Sequence, residues 1–181
     1  LCALLVGVTS AMADQTITGT VISADDDMPV FEKWAVRGII CKNGKYAMQH
    51  GSSGIYKIPG GGVEKGETLL QTLSREVREE VGLVVIESSV KEIGEVLEVR
   101  EDLKQPGQKY INHSYYFFCD VEDEELEPQM TDSEIREGFQ LKWATLDEII
   151  VTNNSMNVNK PIMRDTKFLM WLKEQQKTQN E

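Results

Sequence analysis

The sequence predicts an α/β domain: a mixed β-sheet with helices on both faces. Three observations carry this expectation. Short runs rich in β-branched and aromatic residues recur between turn signals from residue 34 to residue 143. The stretch 69–81 repeats apolar residues every four positions (Leu69, Leu73, Val77, Val81), so a helix there has one face fit for burial. A second helical stripe, Ile162, Phe168, Leu169 and Leu172, lies near the end of the chain.

Taken in order, the first thirty residues differ from the rest. Residues 1–13 are apolar and end in a small-x-small site, like the back half of a secretory signal peptide cut after Ala13. The run is too short to span a bilayer. Residues 14–23 alternate like a strand and resemble the start of mature bacterial outer-membrane receptors, and 25–29 reads as a linker. Two origins stay open: an ordinary leader on an exported protein, or a foreign leader joined to a cytoplasmic domain. The domain itself is expected at 31–174, with a polar tail at 175–181.

Within the domain, 34–41 reads as a buried strand, Asn43-Gly44 as a two-residue hairpin turn and 46–49 as the return strand. A short strand at 56–59 feeds Gly60-Gly61-Gly62, a run that permits a tight turn and close approach to a ligand. Thr68 and Gln71 fit a capping box, which starts the helix near Leu69, and Gly82 is placed to end it. Strands are expected at 83–87, 93–100 and 111–121, with a loop around Pro106-Gly107. An acidic loop at 120–128, a strand at 139–143 and helices at 146–151 and 161–174 complete the reading.

Thirty acidic against nineteen basic residues give a formal charge of −11. That charge repels a nucleic-acid polymer or an anionic membrane as the main partner. A small phosphorylated substrate is still admitted, since a metal can neutralise it. A homodimer is left open. Cys2, Cys41 and Cys119 show no metal-ligand spacing, and the last two read as reduced core residues.

The chemistry concentrates in the helix at 69–81. Residues three and four apart share a helix face, so Glu76, Glu79 and Glu80 project together, at a cost of a few tenths of a kcal/mol per like-charged pair. Mg²⁺ takes oxygen ligands and sits between carboxylates and substrate phosphates. A bare charge run would be a solvated face. Here the spacing is complete: Gly61, five residues, Glu67, seven residues, Arg75-Glu76, Val77, Arg78, Glu79-Glu80, Val81, Gly82, Leu83.

At these residues the chain resembles the Nudix hydrolases of the MutT type. The general likeness covers about 31–174, and the box at 61–83 is its specific part. The resemblance implies a Nudix-like α/β/α sandwich with a mixed β-sheet between helices. It also implies metal-dependent hydrolysis of the pyrophosphate bond in a nucleoside diphosphate linked to another group. Mg²⁺ (or Mn²⁺) would be held by Glu76, Glu79, Glu80 and the Gly60 carbonyl, with Arg75 orienting the glutamates. Glu76 is the first choice for the proton acceptor and Glu137 the second, because MutT-type members use a Glu-Gly pair at a comparable place. The other reading of Glu137 is a solvated turn residue.

Lys57, Gly61 and Arg37 are candidates for substrate phosphate, Lys57 being nearer the glycine loop. His50 and His113 read as structural groups, and Trp34, Tyr110, Tyr116 and Trp143 as core aromatics rather than base-stacking platforms. The run 122–125 reads as solvated. Where the ADP-ribose type carries a proline stands Glu98, and where the dinucleoside polyphosphate type carries a tyrosine stand Val99 and Arg100. By elimination a small nucleoside triphosphate or a similar diphosphate is slightly favoured. Two alternatives remain: a domain of this fold that senses ADP-ribose without cutting it, and an isopentenyl-diphosphate isomerase. The box is intact, against the first, and neither Cys41 nor Cys119 sits in the surroundings the second needs.

Overall fold

The computed structural model describes residues 17–18 and 28–178. The leader at 1–13, Cys2, most of the strand at 14–23 and of the linker at 25–29, and the tail residues 179–181 lie outside the described residues. In chain order the strands are β1 (Ile17–Thr18), β2 (Val30–Ile39), β3 (Cys41–Lys42), β4 (Lys45–His50), β5 (Tyr56–Lys57), β6 (Leu83–Val85), β7 (Lys91–Glu101), β8 (Lys109–Phe118), β9 (Val121–Glu125) and β10 (Gln140–Ala144). The helices are α1 (Leu69–Val81), α2 (Asp132–Arg136), α3 (Leu146–Asn154) and α4 (Lys160–Thr178).

The main sheet runs β1-β7-β8-β2 and is mixed: β8 is antiparallel to β7 and parallel to β2. A second, antiparallel sheet runs β10-β4-β3, with β5 also on β4. The two meet where Ala47 N–H donates to the Ile40 carbonyl, and β6 with β9 forms a separate ribbon. Asn43 and Gly44 both have positive φ, as the two-residue turn between β3 and β4 requires.

The helices cover two faces. Leu73, Val77 and Val81 of α1 pack with Val36, Ile40, Ala47 and Phe117. Leu146 and Ile149 of α3 and Phe168, Leu169 and Leu172 of α4 pack on the other side with Met48, Tyr56 and Tyr116. Both apolar stripes in the sequence are therefore core, and the α/β/α arrangement is the observed one.

Four local expectations need correction. The first strand starts earlier, at Val30, and Trp34 is exposed rather than buried; burial begins at Ala35. The acidic stretch read as a loop contains β9, in which only Val121 is buried and 122–125 face solvent. The short helix α2 was not expected at all. Its Thr131–Glu134 capping box was nevertheless there to be read. Finally, α4 runs to Thr178, so the first part of the expected tail is helical. Cys119 is a buried cysteine, as expected, whereas Cys41 is only half-buried.

Candidate active site

The site is assembled at the entry to α1. Thr68 caps the helix: its hydroxyl accepts from the Gln71 N–H, and the Gln71 side chain accepts from the Thr68 N–H. Gly82 ends it in the left-handed conformation, φ 69°. The segment before the helix is tied along β2, with Val36 N–H donating to the Gly61 carbonyl and Gly38 N–H to the Pro59 carbonyl, both within 2.9 Å. Gly60 has φ 138°, and a Cβ there would overlap the Val36 carbonyl, so only glycine fits. A Cβ on Gly61 would overlap the Glu76 carboxylate. The glycines thus let the glutamates approach the loop backbone.

Arg75 organises most of the cluster. Its Nε donates to Glu67 Oε1 at 2.7 Å and its Nη2 to Glu67 Oε2 at 2.9 Å, a two-point grip. Nη1 reaches Glu76 at 2.8 Å and Glu79 at 3.1 Å, and Nη2 also donates to the Gly62 carbonyl at 3.2 Å. This fork draws Glu67 down to about 2. Burial pushes the Glu76 carboxyl upward, although Arg75 opposes the shift.

Glu80 sits apart from Arg75. It is 4 % exposed, accepts from Lys57 Nζ at 2.8 Å and from the Gly60 N–H at 2.6 Å, and burial pushes it up to about 7 against both donors. Lys57 Nζ also lies 3.5 Å from Glu134. Burial would raise the Glu134 carboxyl, but the Thr131 N–H and hydroxyl and Lys57 together hold it below the usual carboxylate range.

The sequence candidates therefore divide. Gly60, Gly61, Arg75, Glu76, Glu79, Glu80 and Lys57 come together. Glu137 does not join them: it is exposed at the C-terminus of α2, accepting from the Ser133 hydroxyl at 3.1 Å. The glutamate outside the box that reaches the cluster is Glu134 of α2, which the sequence reading passed over. Arg37 is buried, bonded to Asp165 at 3.2 Å and to the Val36 carbonyl at 2.9 Å.

Five carboxylates (Glu67, Glu76, Glu79, Glu80, Glu134) thus share two cations, Arg75 and Lys57. Among the described residues no three acidic, histidine or cysteine side chains converge as a ready ligand group. The donor chemistry still fits a hard divalent ion: it is all oxygen, and anionic charge exceeds the cations present.

A family model described as the NUDIX domain matches residues 33–166. A curated relative, Nudix hydrolase 6 of Arabidopsis thaliana, is 30% identical over 112 residues. The match takes in 62% of this chain and only 35% of that protein, so the chain spans about a third of the relative's length. Among solved structures, a NUDIX hydrolase from Nitrosomonas europaea superposes with TM-score 0.55 at 19% identity, over 76% of this chain and 88% of that one. A MutT NUDIX hydrolase from Burkholderia pseudomallei gives TM-score 0.50 at 16% identity, over 77% and 95%. These two likenesses concern the fold. With the family model spanning most of the domain and the box residues gathered at one loop, the chain belongs to the NUDIX domain family.

Proposed function

We propose that the domain at 31–174 hydrolyses the pyrophosphate bond of a nucleoside diphosphate linked to another group, a nucleoside triphosphate being the favoured case. The observation that supports this most is the surplus of carboxylate around Arg75 and Lys57, set against a glycine loop in which Gly60 admits no side chain. Family membership supports the reaction class; the substrate and the metal are our own reading. Glu76, Glu79, Glu80 and the Gly60 carbonyl would hold Mg²⁺ or Mn²⁺. When bound, the ion supplies charge neutralisation at the phosphates and a more acidic water.

The chain's own residues supply the rest. Water adds to one phosphorus, the bridging P–O bond breaks, and a carboxylate takes the water's proton. Glu76 is the proposed acceptor, because burial raises its proton affinity and it lies against Gly61. Arg75 orients Glu76 and Glu79 by holding them through one guanidinium. Of the two glutamates on and at the end of α2, Glu134 stands nearer the cluster than Glu137. Arg37, already held by Asp165, is a weaker candidate for phosphate than Lys57.

A panel of nucleotides assayed with Mg²⁺, and again with excess chelator, tests the reading. Turnover with metal and almost none with chelator is expected. Undiminished turnover in chelator would remove the metal, and no turnover of any nucleotide would remove the reaction. Running it in heavy-oxygen water then shows which product phosphate carries the label. No helix among the described residues is long and apolar enough to cross a membrane. We place the catalytic domain in the cytoplasm, with export the alternative if the segment 1–13 acts as a leader.

A further inference from the structure

One face of the main sheet continues the site past the glycine loop and is not accounted for by the box. Register pairing stacks its side chains in rows across β7, β8 and β2: Arg100, Tyr110 and Phe31 in one, and Glu98, Asn112 and Lys33 in the next. The first row is a stack of planar groups that ends in an exposed ring. The Arg100 guanidinium lies 3.9 Å from the Tyr110 ring centre, Tyr110 and Phe31 stack with centres 6.0 Å apart, and Phe31 is 47 % exposed.

The second row carries two polar groups left over. Asn112 is 2 % exposed; its amide nitrogen donates to the Ser114 hydroxyl, and its Oδ1 has no partner. A buried acceptor left unpaired is unfavourable, so the position is explained if a donor arrives. Lys33 has no carboxylate within ion-pair distance among the described residues. Its stem reaches Gly62, where a Cβ would lie 3.0 Å from Lys33 Cε, and it is within electrostatic range of Glu76.

The charge here is opposite to that of the protein as a whole. Arg37, Arg100 and Arg164 on and over this face pair with two carboxylates, Glu98 and Asp165, and Lys33 adds a fourth cation. In a chain of net charge −11, such a patch beside the acidic cluster is suited to an anion.

We infer that this face is the nucleoside end of the site: Lys33 takes a phosphate oxygen beside Gly62, Asn112 Oδ1 accepts an N–H of the base, and the exposed Phe31 ring, backed by Tyr110 and Arg100, takes the base's flat surface. The order along β2 suits a nucleotide, with the phosphate contact nearer the box and the aromatic row one register step beyond. The inference rests on the nucleotide reading above and adds the residues that would select the base.

The test is calorimetric titration of wild type, Lys33→Gln and Asn112→Leu with α,β-methylene analogues of the four common nucleoside triphosphates, and with inorganic pyrophosphate, all in Mg²⁺. Lys33→Gln should weaken the nucleotide analogues and pyrophosphate alike, by tenfold or more. Asn112→Leu should weaken the best-bound analogue similarly and leave pyrophosphate unchanged. Lys33 is exposed, so its substitution leaves the fold intact even if Asn112→Leu does not fold. If wild type binds an analogue and Lys33→Gln binds it equally well, the subsite is wrong and the hydrolase reading stands. If wild type binds none of the analogues, both fall.

Discussion

Two ionic clusters lie within this domain, and they are built on opposite principles. Around Asp165 everything is matched: its two oxygens take Arg37 at 3.2 Å, Arg164 at 2.8 Å and the Tyr116 hydroxyl at 2.7 Å. Glu98 binds the other side of Arg164. Burial alone would raise the Asp165 carboxyl, yet Arg164 and Arg37 outweigh it and hold it below the usual range. Around α1 the count fails: carboxylates outnumber cations, and burial wins at Glu76 and Glu80. A buried charge persists only if it is paired and hydrogen-bonded. The first cluster is complete as it stands, and the second is complete only with more positive charge.

Breaking the matched cluster should cost the most. Asp165→Ala strands two arginines and a buried tyrosine hydroxyl, and the expected loss is about 3–5 kcal/mol of unfolding free energy. Denaturant unfolding measures it; a loss under about 1 kcal/mol would mean the cluster is dispensable. The unmatched cluster should respond in the other way. Glu80→Gln is expected to lower kcat by about a hundredfold or more, equivalent to ~3 kcal/mol of transition-state stabilisation. Without metal its stability should hold or rise, since a carboxylate disfavoured by burial is removed. Normal activity for Glu80→Gln and Glu79→Gln together would place both on a mere surface.

The two α2 glutamates sharpen the boundary of the acidic cluster. Glu134→Gln should reduce kcat about tenfold, the scale of groups that orient metal ligands, whereas Glu137→Gln should stay within about twofold. The reverse ranking in steady-state kinetics would restore Glu137 to the site. The smallest effect belongs to a third, half-buried group. His113 bonds Glu32 at 2.8 Å through Nε2 and Glu95 through Nδ1, bridging β2, β8 and β7 under Trp34. Burial lowers its proton affinity, but the two carboxylates more than offset this and its value is raised from 6.5. Raised in the fold, it stabilises fully below 6.5, and that stabilisation is lost as pH rises through the higher folded value. Relative to His113→Gln, wild type should therefore lose a few tenths of a kcal/mol between about pH 6 and pH 8.5. A flat difference would show that the contact carries no charge.

What could be read in advance follows how local the physics is. The bounds of α1 were legible because Thr68, Gln71 and Gly82 act within one turn of the helix ends. The two core stripes were legible because periodicity reports burial directly. β9 was hidden, since only Val121 needs to be buried and the backbone pairs with β6 whatever faces solvent. Trp34 misled because an aromatic in a strand suggests core, while here it lies over His113 at the rim. In the site, the box residues were legible as a spacing. The Glu80–Lys57–Glu134 chain was not, because it joins three elements whose approach depends on the whole fold.

The parallel pairing of β2 with β8 bears on how the chain acquires this structure. Val30 is matched to Lys109 and Ile39 to Phe118, so the strand beneath α1 finds its neighbour only after most of the domain has been synthesised. Contacts so distant along the chain pay for closing a large loop before they return any stabilisation, and such topologies fold slowly. On the ribosome, α1 with its acidic face exists before the sheet that positions it. A nascent chain stopped short of Phe117 would then expose the apolar stripe of Leu73, Val77 and Val81 without part of its cover, Phe117 included, which makes that interval the one in which chaperones matter most.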